Sequence, residues 1–166
     1  LAPAALSAIG PAATGLLPIS THDLPDIGYM EHRPKKRFGQ NFLIREDLAE
    51  RIVEHCRLRE DDVAVEVGPG AGALTALIAL RVRHLIAVEK DPGLADLLRE
   101  ELAELPRIEI VEGDFLEYDL AAAAAAHDVP RLVVLGNIPY HITTPLLERI
   151  FEQRAVVRSA VLLVQK

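Results

Sequence analysis

Five short, mostly apolar runs alternate along this chain with segments of helical spacing. The runs lie at residues 63–67, 84–88, 108–111, 131–135 and 160–164. Strands that are apolar along their whole length are typical of parallel sheets buried on both faces. Alternation with helical segments supplies the crossovers that parallel strands need. The sequence therefore predicts an α/β fold, a parallel sheet with helices on both faces.

The segments between these runs predict the covering helices. Ile44, Leu48, Ile52 and Cys56 recur every four residues, which indicates an amphipathic helix before the first strand. Further helices are expected at residues 73–80, at 92–105 and from about 143 onward, while the alanine run 121–126 is expected to form a helix or a loose crossover. The last helix is expected to turn four side chains toward the core: Leu146, Leu147, Ile150 and Phe151.

Composition limits the kind of protein this is. A chain of 166 residues is long enough for one domain with a real core. Cys56 is the only cysteine, which excludes an intramolecular disulfide and favours a reduced, cytoplasmic setting. The formal net charge of −7 argues against a nucleic-acid partner. The charge is unevenly spread, however: Arg33, Lys35, Lys36 and Arg37 form a short basic arm, which is the candidate contact for a nucleic acid.

The two ends of the sequence are unusual. Residues 1–32 are rich in Ala, Leu and Pro and match neither a signal peptide nor a membrane span, so we expect a disordered or spurious extension and no membrane partner. At the other end, the fifth apolar run leads directly to Lys166. A buried strand there would have an uncovered outer edge. The sequence therefore looks cut short.

Residues that could bind a nucleotide-like cofactor follow three of the predicted strands. Gly68, Gly70 and Ala73 satisfy the glycine pattern of a dinucleotide-binding loop. Glu89, at the end of the second strand, could accept hydrogen bonds from ribose hydroxyls. NAD and S-adenosylmethionine both contain adenosine, so these residues do not separate the two. Asp114, after the third strand, could accept from an adenine amino group or could cap a helix.

The fourth strand leads into Asn137, Ile138, Pro139 and Tyr140. Ligands bind at the carboxyl ends of the strands in open α/β sheets. An amide, a rigid proline and an aromatic face within one turn suit the holding of a flat, amino-bearing ring such as an extruded nucleobase.

Several of these motifs together resemble one family. The motifs are residues 35–43 (KKRFGQNFL), 66–72 (EVGPGAG), Glu89, residues 113–114 and residues 137–140 (NIPY). Their order and spacing are similar to those of the ribosomal RNA adenine N6-dimethyltransferases, best of all the KsgA-type small-subunit enzymes. The resemblance implies a class I, Rossmann-like fold that uses S-adenosylmethionine. The implied product is N6,N6-dimethyladenosine at two adjacent adenosines near the 3′ end of small-subunit rRNA, in the pre-30S particle during ribosome biogenesis.

The resemblance also implies roles for individual residues. Asn41 and Leu43 would touch the cofactor, Gly68 its methionine part, Glu89 its ribose and Asp114 its adenine.

The NIPY motif would hold the target base. Asn137 would lie beside both cofactor and base, and its side-chain oxygen and the Pro139 carbonyl would accept from the adenine amine. Tyr140 would stack on the base. We expect no metal and no strong general base, in keeping with the absence of a His/Cys/Asp cluster from the sequence. Family members continue into further strands and a helical domain, so residues 33–166 are expected to be an incomplete methyltransferase domain, monomeric and with impaired activity.

Three other readings stay open. An Erm-type enzyme would perform the same chemistry on large-subunit rRNA. A non-catalytic RNA-binding relative would keep the fold without the reaction. An NAD-dependent oxidoreductase would share the glycine loop, although that fold does not call for the motifs at residues 40–43 or 137–140.

Overall fold

The computed structural model describes residues 46–105, 107–138 and 142–164. All of them belong to one compact unit, Lys36–Lys166. Asn41, Leu43, the basic arm, Pro139 and Tyr140 lie outside the described residues, as does the predicted extension at 1–32.

Five parallel strands form one sheet, as predicted, and the order of the strands in it is β3-β2-β1-β4-β5. The strands are β1 (Val63–Val67), β2 (His84–Glu89), β3 (Ile108–Glu112), β4 (Leu132–Ile138) and β5 (Val157–Val164). β4 runs further than predicted because its ladder with β5 continues to the pair Ile138↔Val164. Asn137 is therefore part of the strand and lies one residue before its end.

Helices connect the strands at the predicted places. They are α1 (Glu46–His55), α2 (Thr75–Ala79), α3 (Pro92–Glu101), α4 (Leu120–Ala126) and α5 (Thr143–Glu152). Asp91 caps α3 by accepting from the Leu94 N–H at 3.0 Å. Asp119 caps α4 by accepting from two backbone N–H groups, so the alanine run is a true helix.

The helices cover both faces of the sheet. Side chains of α1 and α2 pack with Ala64, Leu85 and Val133 on one face. Side chains of α4 and α5 pack with the alternate residues of the same strands on the other face. In the described part of the chain no helix exceeds ten residues, and none could cross a membrane.

The prediction for the inner face of α5 is half wrong. Leu146 and Ile150 are buried, but Leu147 is 50% exposed and Phe151 is 68% exposed. Each exposed residue follows a buried one, which rotates its side chain about 100° around the helix. A single row of α5 therefore faces the core, and the exposed Phe151 ring lies 4.9 Å from the Arg154 guanidinium.

Candidate functional site

A cleft opens where the order of the strands reverses. β1 is followed in the chain by β2 on one side, while β4 lies on its other side. This reversal point is the usual ligand site of open α/β sheets. The cleft is lined by the loop after β1 and by Asn137 at the end of β4; the lining residues are Glu66, Gly68, Pro69, Gly70, Ala71, Ala73, Leu74 and Asn137.

The loop depends on glycines in the left-handed backbone region. The φ angles are +59° at Gly68, +58° at Gly70 and +79° at Gly72. A Cβ at Gly68 or Gly70 would meet nothing within 4 Å, so backbone conformation is what demands glycine there. The same open space leaves the loop backbone accessible to a ligand. At Gly72 a Cβ would lie only 2.9 Å from Leu98 Cδ2, so this glycine also permits close packing on α3.

Glu89 ties the glycine loop to the end of β2. Its carboxylate is buried, with Oε2 accepting from the Gly70 N–H and Oε1 accepting from the Asp91 N–H, both at 2.9 Å. A carboxylate has about four acceptor sites, so two remain for a ligand such as a ribose diol. Glu89 lies at the end of the second strand, as predicted, but its support of the glycine loop was not predicted.

Asp114 follows β3 and has two partners already. Its Oδ1 accepts from the Leu116 N–H at 3.0 Å and caps the 3₁₀ turn Phe115–Glu117, which confirms the capping interpretation. Its Oδ2 accepts from Lys90 Nζ at 2.7 Å. That hydrogen bond is the main cause that lowers the pKa of the Asp114 carboxyl. Lys90 is 77% exposed, so water competes for this pair.

Asn137 is exposed at the rim of the cleft, next to a glycine that the sequence analysis overlooked. Gly136 pairs with Val67 at the end of β1. A Cβ on Gly136 would lie 2.7 Å from Ile138 Cδ1 and 2.9 Å from the Val67 carbonyl oxygen. The missing side chain therefore lets β4 lie against β1 where Asn137 enters the cleft.

Glu66 is a site residue to which the sequence analysis gave no role. It is 2% exposed, and its Oε2 has no hydrogen-bond partner in the described part of the chain. The pKa of this carboxyl is raised to about 7: burial is the main cause, the Thr75 hydroxyl partly offsets it, and the charge of Glu89 adds to it. Glu66 could have been found from the sequence because it is the only acidic residue in an otherwise apolar strand, and a buried charge is costly unless it is paired.

Backbone pairing brings these strand ends together. The Gly68 N–H donates to the Val88 carbonyl at 3.0 Å, and the Gly113 N–H donates to the Glu89 carbonyl at 2.8 Å. The loop, Glu89 and Asn137 are thus neighbours at one edge of the sheet. Asp114 lies one strand further out.

The sequence of residues 31–166 matches the family model described as ribosomal RNA adenine dimethylase. The chain belongs to this family. It is 39% identical over 134 residues to the ribosomal RNA small subunit methyltransferase A of Syntrophus aciditrophicus, a match that covers 81% of this chain and 48% of the relative. It is 44% identical over 131 residues to the protein of the same name from Chlorobaculum tepidum, which covers 79% of this chain and 46% of the relative.

A solved structure supports the class I methyltransferase fold. The crystal structure of the 23S rRNA methyltransferase ErmE is 36% identical and superposes with a TM-score of 0.62, over 72% of this chain and 46% of that protein. The chain thus spans about half the length of the relatives it matches.

Proposed function

We propose that this chain forms the cofactor-binding part of an S-adenosylmethionine-dependent rRNA adenine N6-dimethyltransferase. Its substrate would be two adjacent adenosines near the 3′ end of small-subunit rRNA, in the pre-30S particle during ribosome biogenesis. The observation that carries the proposal is the cleft between the glycine loop and Asn137, at the point where the strand order reverses.

The residues of the cleft fit S-adenosylmethionine. Gly68 and Gly70 expose their backbone to a ligand, and a buried carboxyl oxygen of Glu66 lacks a partner. The cofactor carries two positive groups, its sulfonium and its amino group. A cation beside Glu66 would stabilise the ionised carboxylate that burial disfavours. When bound, the cofactor supplies an electrophilic methyl group.

We assign the remaining contacts along the sheet edge. Gly68 would approach the methionine part of the cofactor and Glu89 the ribose, through the acceptor sites that Gly70 and Asp91 leave open. Asp114 would accept from the adenine amine once water or the cofactor displaces Lys90. Asn41 and Leu43, outside the described residues, are proposed as further cofactor contacts.

Asn137 is proposed to position the methyl acceptor. An exocyclic adenine amine is a weak nucleophile because its lone pair is delocalised into the ring. The amine would donate hydrogen bonds to the Asn137 side-chain oxygen and to the Pro139 carbonyl. These bonds would favour a pyramidal nitrogen whose lone pair points at the methyl group. Tyr140 would stack on the base, which contributes about 1–3 kcal/mol. Alignment of the two reactants can lower the barrier by roughly 7–11 kcal/mol, so the side chains mainly supply position.

Small-subunit rRNA is the favoured substrate, and large-subunit rRNA is the second candidate. Identity to the small-subunit relatives is 39% and 44%, against 36% to the 23S enzyme over a smaller share of this chain. The basic arm Arg33, Lys35, Lys36 and Arg37 is proposed to contact rRNA phosphates, and the protein is proposed to act as a cytoplasmic monomer.

The test is methyl transfer from labelled S-adenosylmethionine to unmodified small and large ribosomal subunits. We expect label in N6-methylated adenine of the small subunit, at a low rate because the chain spans about half of its relatives. Label in the large subunit would favour the Erm-type alternative. Cofactor binding without transfer to either subunit would favour a non-catalytic relative.

A further inference from the structure

Three potential metal ligands meet at the edge of the sheet opposite the cleft. His84 is the first residue of β2, Glu109 lies near the start of β3, and His127 directly follows α4. Glu109 Oε2 lies 3.8 Å from His84 Nε2 and 3.7 Å from His127 Nε2. The imidazole centroids are 4.4 Å apart, and one potential ligand atom from each residue lies within 4.8 Å of the others.

This cluster of two histidines and a glutamate was not predicted from the sequence. The three residues are far apart in the chain and form no metal-binding motif. The parallel pairing of β2 with β3 and the crossover through α4 bring them together.

Two imidazole nitrogens and one carboxylate oxygen are a donor set that zinc and related transition metals prefer. With metal–ligand bonds of about 2.0–2.2 Å in a tetrahedron, ligand atoms lie roughly 3.4 Å apart. The two distances to Glu109 exceed this spacing by a few tenths of an ångström. The three ligand atoms all lie within 4.8 Å of one another, so metal binding requires side-chain rotations that draw them closer together.

The surroundings of the three residues also fit a cation. His84 Nε2 is buried and has no hydrogen-bond partner in the described part of the chain, which is unfavourable unless a ligand satisfies it.

The charged or titratable neighbours of the cluster include Arg83 and Tyr118. The Arg83 guanidinium donates to the backbone carbonyl of His127 and is engaged there. The pKa of Tyr118 is raised by burial and then by the charge of Glu109, so this phenol stays neutral beside the cluster.

We propose that His84, Glu109 and His127 bind one Zn²⁺ or a similar divalent transition metal, at a site distinct from the cofactor cleft. Glu109 is half exposed, so water reaches the fourth coordination position. The metal links β2, β3 and the end of α4, which clamps the crossover onto the amino-terminal edge of the sheet.

The test is isothermal titration of the metal-free full chain with ZnCl₂ in a non-chelating buffer. We expect one Zn²⁺ per chain with micromolar or tighter affinity, and no heat from MgCl₂. His84→Gln, His127→Gln and Glu109→Gln should each weaken binding at least tenfold. His55→Gln is the matched control: His55 is exposed at the end of α1, next to the buried Cys56, and its loss should leave zinc affinity unchanged.

Two further measurements separate a lost ligand from a damaged fold. Zinc should raise the Tm of the wild type and of His55→Gln but not of His127→Gln. The far-UV spectrum and the S-adenosylmethionine affinity of the metal-free variants should match those of the wild type. If His84→Gln does not match, its zinc affinity is set aside and that of Glu109→Gln, at a half-exposed position, is used to test the proposal. Unchanged zinc affinity in His127→Gln and Glu109→Gln, or an equal loss in His55→Gln, would overturn the proposal.

Discussion

Replacement of the buried Glu66 by glutamine is expected to change how stability depends on pH. Glutamine has nearly the same shape and no titrating proton. Glu66 is 2% exposed with one unpaired oxygen, and the pKa of its carboxyl is raised from 4.5 to about 7, first by burial. The folded wild type therefore holds this proton more tightly than the unfolded chain does.

The sign and size of the effect follow from that difference. A raised pKa contributes stability that is complete below pH 4.5, falls as pH rises and is lost above about pH 7. The interval from 4.5 to about 7 corresponds to about 3 kcal/mol in the free energy of unfolding. Glutamine does not titrate, so Glu66→Gln does not lose this contribution. The free energy of unfolding of Glu66→Gln minus that of the wild type should therefore increase by about 3 kcal/mol from pH 4 to pH 8.

Urea unfolding followed by far-UV circular dichroism, at half-unit steps of pH, measures this difference. Glu50→Gln is the control, since Glu50 is exposed on α1 and its replacement should leave the wild-type profile in place. If the free-energy difference between Glu66→Gln and the wild type is the same at pH 4 and pH 8, the argument from burial is wrong.

Three other substitutions test the site. Gly136→Ala should destabilise the fold by about 1–3 kcal/mol in urea unfolding, because its Cβ meets the Val67 carbonyl oxygen at 2.9 Å, whereas Gly113→Ala, with nothing within 4 Å, should cost far less. Asp114→Asn should keep the 3₁₀ cap and the stability but weaken S-adenosylmethionine binding several-fold by calorimetry; an unchanged Kd would leave capping as its only role. Asn137→Ala should abolish methyl transfer to unmodified small subunits while cofactor binding persists, and wild-type turnover would exclude the proposed positioning.

Local pattern was sufficient to predict most of the fold. The apolar runs located all five strands, and the capping aspartates made α3 and α4 begin close to where the sequence indicated. The extension of β4 to Ile138 was not predictable, since it depends on pairing with β5 far along the chain. The exposure of Phe151 was not predicted because helical spacing does not show how much of the surface of α5 the neighbouring elements cover.

The parts of the candidate site that could be predicted are those in which a glycine or an acidic residue directly follows a predicted strand. Gly68 and Glu89 lie at adjacent strand ends, as parallel pairing requires. The ion pair of Lys90 with Asp114 and the raised pKa of Glu66 depend on distances across strands, which spacing along the chain does not encode.

Equilibrium dialysis of the wild-type chain against labelled S-adenosylmethionine tests the central claim most directly. We predict saturable binding of one cofactor per chain, displaced by S-adenosylhomocysteine. Glu89→Gln should weaken it at least tenfold because a charged acceptor for the ribose is lost, while Glu112→Gln, exposed at the end of β3, should bind normally. No saturable binding by the folded wild type, or an unchanged Kd in Glu89→Gln, would contradict the assignment of the cleft.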